Sequence, residues 1–274
     1  MVLEVIYIVR HGYRSNWSVN HETGVYHSSV PTPTGIPADP ALSSYGVDQS
    51  KQLGDKLLSI DPPVDVVYSS PWYRCIQTIK PAIDKWAAAG GAKKVRVENG
   101  VGEFFGEARF EHPSPAPVDE LEVHFPDIMD RSYTPVARPS TNGESTMGLH
   151  NRAAYALARI ISDLDRDPKG PKSVVICTHA AFIIAAGRAL TGLMPAEPEE
   201  HDFSCYTCGL SMFVRRTNHP TEAGVKAPVA EWDPKDPENI PELDWIGGKG
   251  VGGGWDCVHN SDCSFLKGGE ERGW

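Results

Sequence analysis

Two apolar, β-branched runs in this 274-residue chain break off at a histidine, and they constrain the fold more than any other feature. VLEVIYIV (2–9) stops at Arg10-His11-Gly12, with Arg14 close behind, and SVVICT (173–178) stops at His179. Near-continuous apolar runs of this length mark strands covered on both faces. Between them the pattern alternates. LSSYGVDQSKQLGDKLLSI (42–60) sets Leu42, Val47, Leu53, Leu57, Leu58 and Ile60 at mostly helical spacing, with Ser43 or Ser44 as its cap. VDVVYSS (64–70) reads as a second buried strand, followed by a helix through about Trp86 whose first turn suits Pro71. KKVRVENGV (93–101) reads as a third strand and residues 144–165 as an amphipathic helix. The strand at 173–178 runs straight into a helix ending near 190, and GLSMFVRR (209–216) gives a fifth strand.

Such alternation predicts an α/β fold, a three-layer α/β/α sandwich around a mostly parallel sheet. The length suits one domain spanning residues 1–274. Two long irregular segments, 18–41 and 104–140 (with a short helix at 117–125), interrupt the pattern, and a Gly/Pro-rich segment occupies 218–274. Loops beyond ~12–15 residues are uncommon unless functional, so both are expected to wall a pocket. In open α/β sheets ligands gather at the carboxyl ends of the strands. That rule brings Arg10 and His11, Ser69 and Ser70, and Thr178 and His179 to one edge, with His11 at a solvent-accessible strand end.

Charge narrows the chemistry. A formal net charge of -10 and the absence of a long Lys/Arg run argue against nucleic-acid binding. No apolar run approaches the ~18–20 residues of a membrane span. The N-terminus lacks the basic start of a signal peptide, and six cysteines in such a chain are expected as thiols in a cytoplasmic or nuclear protein. GKGVGG (248–253) has the spacing of a dinucleotide loop but neither the preceding strand nor the following helix. Cys205-x-x-Cys208 with Cys257 and Cys263 reads as partly buried thiols beside a solvated tail rather than as structural zinc.

An anion handled by so acidic a chain needs a few local cations. The imidazole of His11 can accept a phosphoryl group and so split a difficult transfer into two easier steps. Arg10, Arg14 and Arg74 supply permanently charged, planar donors for the three equatorial oxygens of such a group. Arg74, in SSPWYRCIQT, belongs to the first turns of the helix after the second strand, where anions are favoured. His179 adds a further donor. A departing alkoxide needs a proton, and Glu103 in NGVGEFFG is the best-placed acid, with Glu107 and Glu111 as rivals. His21 and His27 read as solvated loop residues, Trp72 and Trp86 as core.

VRHG, SSPWYRCIQT, a Glu in a Gly/aromatic turn and VICTHAAF, in that order over residues 5 to about 213, resemble the histidine phosphatase superfamily, the phosphoglycerate-mutase-like proteins. The resemblance implies His11 as the phosphorylated nucleophile, Arg10, Arg74 and His179 as phosphate ligands, and Glu103 as proton donor. It implies hydrolysis of a small-molecule or peptide phosphomonoester without metal or cofactor. Two departures matter. RHGYR lacks the polar residues that follow RHG in mutases, and Arg14 matches the protein-phosphatase-like branch. The tail NSDCSFLKGGEERGW resembles a fungal group that includes the phosphatase-like subunit of an RNA polymerase III transcription factor. A phosphatase-like scaffold or transcription-complex subunit, with a protein partner and little turnover, is therefore the alternative.

Overall fold

The computed structural model describes residues 2–197, 200–216 and 229–273. In chain order it contains β1 (Val5–Arg10), β2 (Trp17–Asn20), β3 (Val25–Ser28), α1 (Ser44–Ser59), β4 (Val66–Ser69), α2 (Tyr73–Ala88) and β5 (Val95–Val97). There follow α3 (Val118–His124), α4 (Thr146–Arg166), β6 (Ser173–Thr178), α5 (Ala180–Thr191), β7 (Leu210–Arg215) and β8 (Trp255–Asp262). Six strands form one sheet in the order β5-β4-β6-β1-β7-β8. The first four run parallel, while β7 and then β8 add antiparallel.

Because β1 and β6 are buried along their whole length, each alternates its apolar residues between two helical layers. Ile6, Ile8, Val174 and Ile176 pack against Leu157 of α4 and Phe182 of α5. Val5, Tyr7, Val9, Val175 and Cys177 pack on the other face with Leu53 of α1 and Ile76 of α2. Burial of each such aliphatic side chain contributes about 1.5–3 kcal/mol before entropy is counted. The expected α/β/α sandwich with a mostly parallel sheet is the fold observed, and Ser43 is the cap of α1, accepting from the Gly46 N–H at 3.2 Å.

Four expectations differ in detail. Pro71 precedes α2 rather than sitting in its first turn: Ser70 still bonds to the sheet through Cys177, so the chain turns before Trp72 caps the helix. The strand expected at 93–101 is only Val95–Val97, because the Glu98 side chain accepts from Gly100 N–H and starts a 3-10 turn at Asn99–Val101. Segment 18–41 is not simply a loop. It begins with the hairpin β2–β3, turned at Gly24 (φ 71°) and pinned by Trp17 and Tyr26, whose rings stand 5.4 Å apart. Its polar, half-exposed sequence hid the strands. The tail likewise holds a strand, β8, whose Trp255 is fully buried. Register shifts against β7 break its period, so alternation was unreadable. Residues 217–228 of the segment expected to be irregular lie outside the described residues. No helix among the described residues is long and apolar enough to cross a membrane.

Candidate active site

The parallel register of the sheet creates the site. Arg10 on β1 pairs with Thr178 on β6, so the next residues, His11 and His179, leave adjacent strands at one height. Their ring centroids are 5.3 Å apart. On the other side of β6, Ser69 pairs with Cys177, which puts Ser70 Oγ 2.7 Å from His179 Nε2. Thr178 donates its hydroxyl to the Val101 carbonyl at 2.6 Å, drawing the turn before Glu103 to the same edge. Arg152, fully buried on α4, holds that turn from behind through the carbonyls of Gly100 (2.9 Å) and Gly102 (3.1 Å) while forking onto Glu144.

His11 is only 3% exposed, not at the accessible strand end expected: its ring packs edge-on against that of His179 and turns Nδ1 to the Gly12 carbonyl. Its Nδ1 lies 2.8 Å from the Gly12 carbonyl, which fixes the proton there and leaves Nε2 with a lone pair. Burial first, then the charges of Arg74, His179, Arg10 and Arg14, hold its pKa well below the ordinary histidine value. The ring is neutral at physiological pH.

Arg74 is fully buried and donates to the Ala38 carbonyl (3.1 Å), Asp39 (3.4 Å) and Glu103 Oε2 (2.9 Å). The same carboxylate oxygen lies 3.2 Å from His179 Nδ1. Burial alone would raise the Glu103 carboxyl, but His179 and then Arg74 hold it well below the usual range. His179 shows the converse: burial would lower its pKa, but Cys75 and then Glu103 raise it. Arg10 Nη1 donates to the Cys205 carbonyl at 2.7 Å, and Arg14 Nη1 to the Ser15 carbonyl at 2.9 Å. Among the described residues, five buried side-chain polar atoms have no partner, and three of them are Nε of Arg10, Arg14 and Arg74. Buried N–H groups rarely stay unpaired, so three on guanidinium groups that all act on His11 point to an anionic ligand.

A cavity of about 290 Å³ opens from this cluster. Arg10, His11, Arg14 and Glu103 line one end, and Phe104, Leu149, Ala181 and Ile184 give it an apolar wall. The expected walls at 18–41 and 104–140 contribute little to this cavity. None of its lining residues comes from 18–41, and only Phe104 comes from 104–140; helices α4 and α5 supply the rest. Glu107 and Glu111 are exposed, and Glu107 faces a different cleft, leaving Glu103 as the acid in the cluster. His21 and His27 are exposed, while Trp72 and Trp86 are core.

His11, Glu103 and His179 bring three ligand-type atoms within 4.8 Å of one another, a set that could ligate a metal ion. The surroundings suit an anion better. Three guanidinium groups crowd the same space, and the carboxylate a cation would need already bridges Arg74 and His179. Cys205, Cys208, Cys257 and Cys263 form no comparable group among the described residues.

Sequence reading passed over several supporting residues. Asp39, buried behind Arg74, has its carboxyl pushed up to about 6 by burial against the pull of Arg74. Ser70 was placed at the edge without a role. Arg152, which holds Glu144 and the carbonyls of the Glu103 turn, and Arg272, whose carbonyl accepts from Arg10, carried no local signal, since these contacts rest largely on main-chain carbonyls distant in sequence.

A model of the histidine phosphatase superfamily (branch 1) matches residues 6–226. The transcription factor tau 55 kDa subunit of Saccharomyces cerevisiae is 28% identical, over 100% of this chain and 59% of its own length. The ecdysteroid-phosphate phosphatase of Drosophila melanogaster is 26% identical, over 86% of this chain and 32% of its own. The chain thus spans under two thirds of either relative. Among solved structures, the ecdysone phosphate phosphatase of Bombix mori, in complex with tungstate, superposes with a TM-score of 0.59 at 18% identity. That match covers 84% of this chain and 98% of the other. Mycobacterial glucosyl-3-phosphoglycerate phosphatase superposes at 0.52 with 13% identity, over 94% and 98%. With the family model spanning most of the sheet and all the strand-end motifs, the chain belongs to the histidine phosphatase superfamily.

Proposed function

We propose that the chain is a phosphomonoesterase working through a phosphohistidine on His11, carried by one domain over residues 1–274. The observation that carries this reading is the gathering of three guanidinium groups, each with an unpartnered Nε, around a neutral imidazole whose Nδ1 faces the Gly12 carbonyl. Arg10, Arg14, Arg74 and His179 hold the phosphoryl oxygens. As the substrate enters, Arg74 and His179 turn from Glu103 to those oxygens, and the carboxyl, stripped of two cationic partners, takes up a proton. His11 Nε2 then forms the P–N bond while the P–O bond to the leaving group breaks, and Glu103 delivers its proton to the departing oxygen. In the second half Glu103 takes a proton from water, whose oxygen displaces His11 and releases phosphate. No step calls on a metal or cofactor.

The test is turnover of p-nitrophenyl phosphate without added metal from about pH 4 to about pH 8, with acid-labile phosphate trapped on His11 in a rapid quench. The yeast relative's name supports a second reading, a scaffold or transcription-complex subunit of the nucleus that binds a protein partner and turns over little. Tungstate binding without turnover anywhere in that range would favour the scaffold.

A further inference from the structure

The segment after β8 returns to the active site. Leu266 is buried beside α1, Lys267 N–H donates to Gln52 at 2.7 Å, and Gly268 lies so close to Tyr45 that a Cβ there would meet its hydroxyl at 1.8 Å. The chain then reaches Thr207, whose N–H donates to the Glu271 carbonyl at 3.0 Å. Arg272 follows in the left-handed region (φ 49°), which turns its carbonyl toward Arg10. Arg10 Nη1 therefore lies between two carbonyls, those of Cys205 and Arg272. The Arg272 guanidinium stacks on the Tyr13 ring at 3.8 Å and donates to the Arg14 carbonyl (3.3 Å) and to Asn16 Oδ1 (3.2 Å).

One residue thus touches both the Arg10 side chain and the backbone from Tyr13 to Asn16 that carries Arg14. Its carbonyl fixes the plane of the Arg10 guanidinium and its side chain fixes the backbone that carries Arg14. Both arginines present a buried, unpartnered Nε. Guanidinium donors bind a phosphoryl oxygen more tightly when their planes are set in advance, because each free rotor lost on binding costs affinity. We propose that Glu270–Gly273 is a strap and that Arg272 is a positioning residue for oxyanion recognition. The inference rests on the phosphate reading of the site, and it predicts binding behaviour that does not require turnover.

The experiment compares the full chain with Arg272→Ala, Arg272→Lys and a chain lacking residues 270–274. It measures tungstate and inorganic phosphate affinity by calorimetry, kcat and KM for p-nitrophenyl phosphate, and the thermal unfolding midpoint. Arg272→Ala should weaken both oxyanions and raise KM by about tenfold, with kcat and the unfolding midpoint near wild type. Removing 270–274 also deletes the carbonyl on Arg10 and should weaken binding further; if that chain does not fold, Arg272→Ala decides alone. Lysine keeps the charge but cannot stack or fork onto Arg14 and Asn16, so it should recover little. Full recovery by lysine would overturn positioning in favour of a point charge. Unchanged affinity in Arg272→Ala, or a loss explained by a matching fall in the midpoint, would overturn the strap. A wild-type chain that binds neither oxyanion would sink the phosphate site itself, and the strap with it.

Discussion

Glu103→Gln separates binding from catalysis, and the two should move in opposite directions. The Glu103 carboxylate bridges Arg74 Nη2 (2.9 Å) and His179 Nδ1 (3.2 Å), so it occupies the donors a phosphoryl oxygen would use. Glutamine keeps the shape and loses the charge. Two unit charges ~4 Å apart interact by roughly 4 kcal/mol at an effective dielectric of ~20, which sets a ceiling on the repulsion relieved when an anion enters. Since Glu103 is partly open to the cavity, we expect tungstate to bind at least about tenfold tighter, short of that ceiling. Without an anion the variant should be less stable, because Arg74 and His179 lose their shared counter-charge. The sign follows from Glu103's depressed pKa: its contribution is present above the unfolded-state value and is lost as pH falls through the lower folded one. Wild type and variant should therefore converge in acid. Catalysis moves the other way. General-acid help is typically worth ~10²–10⁴-fold, so phosphoenzyme formation from an alkyl phosphate should slow by about that factor and from p-nitrophenyl phosphate far less. Calorimetry with tungstate and rapid-quench phosphoenzyme formation read both arms. Weaker tungstate binding, or equal slowing of both substrates, would refute the placement of Glu103 as anion competitor and acid.

His11→Ala should abolish turnover and phosphoenzyme, and because the ring is buried it should also lower the unfolding free energy by about 1 kcal/mol through the lost Gly12 hydrogen bond; residual activity within tenfold of wild type would remove His11 as nucleophile. With the His11 pKa far below the ordinary value and that of His179 raised, log kcat/KM should stay level from neutral pH down through 6.5 and bend on the alkaline side. The stability owed to His179 is likewise whole below the unfolded value and fades as pH rises through the folded one, and His179→Asn should remove the alkaline bend. Arg152→Ala leaves Glu144 and three carbonyls of the Glu103 turn without their donor and should cost roughly 3–5 kcal/mol of stability in urea titrations. A loss under about 1 kcal/mol would mean that the turn holds itself.

The sheet was legible because β1 and β6 are buried on both faces, and such strands advertise themselves as unbroken apolar runs. Their endings at His11 and His179 then located the site, since parallel register fixes where neighbouring strands stop. What stayed hidden follows a physical rule. β2 and β3 are half-exposed and draw stability from aromatic contacts with Phe105, which no local period reveals. β8 is irregularly registered against β7, so its alternation is scrambled. Arg152 donates to main-chain carbonyls, and Arg272 donates to one at Arg14 while offering its own to Arg10; a carbonyl carries no residue identity for a sequence pattern to detect. The cavity lining from α4 and α5 was hidden for a related reason: loop length says that a segment has a task, not which way it faces.

Charge balance ties the site to its substrate. The guanidinium groups of Arg10, Arg14 and Arg74 surround His11, and His179, its pKa raised by Cys75 and Glu103, adds a partial fourth positive charge. Opposing them are Glu103, held ionised, and Asp39, whose carboxyl is pushed up to about 6. The surplus lies between one and two positive charges in a largely desolvated space, a balance that suits an oxyanion such as a phosphomonoester. Holding that surplus, with three unsatisfied Nε atoms at about 1–3 kcal/mol each, works against folding. Such strain is sustained where a ligand relieves it, so oxyanions should stabilise the fold in proportion to their charge at the pocket, with dianions above monoanions. A scaffold that only displayed its surface to a partner would gain nothing from that arrangement. A catalyst gains donors already oriented for the charge that develops on the phosphoryl oxygens.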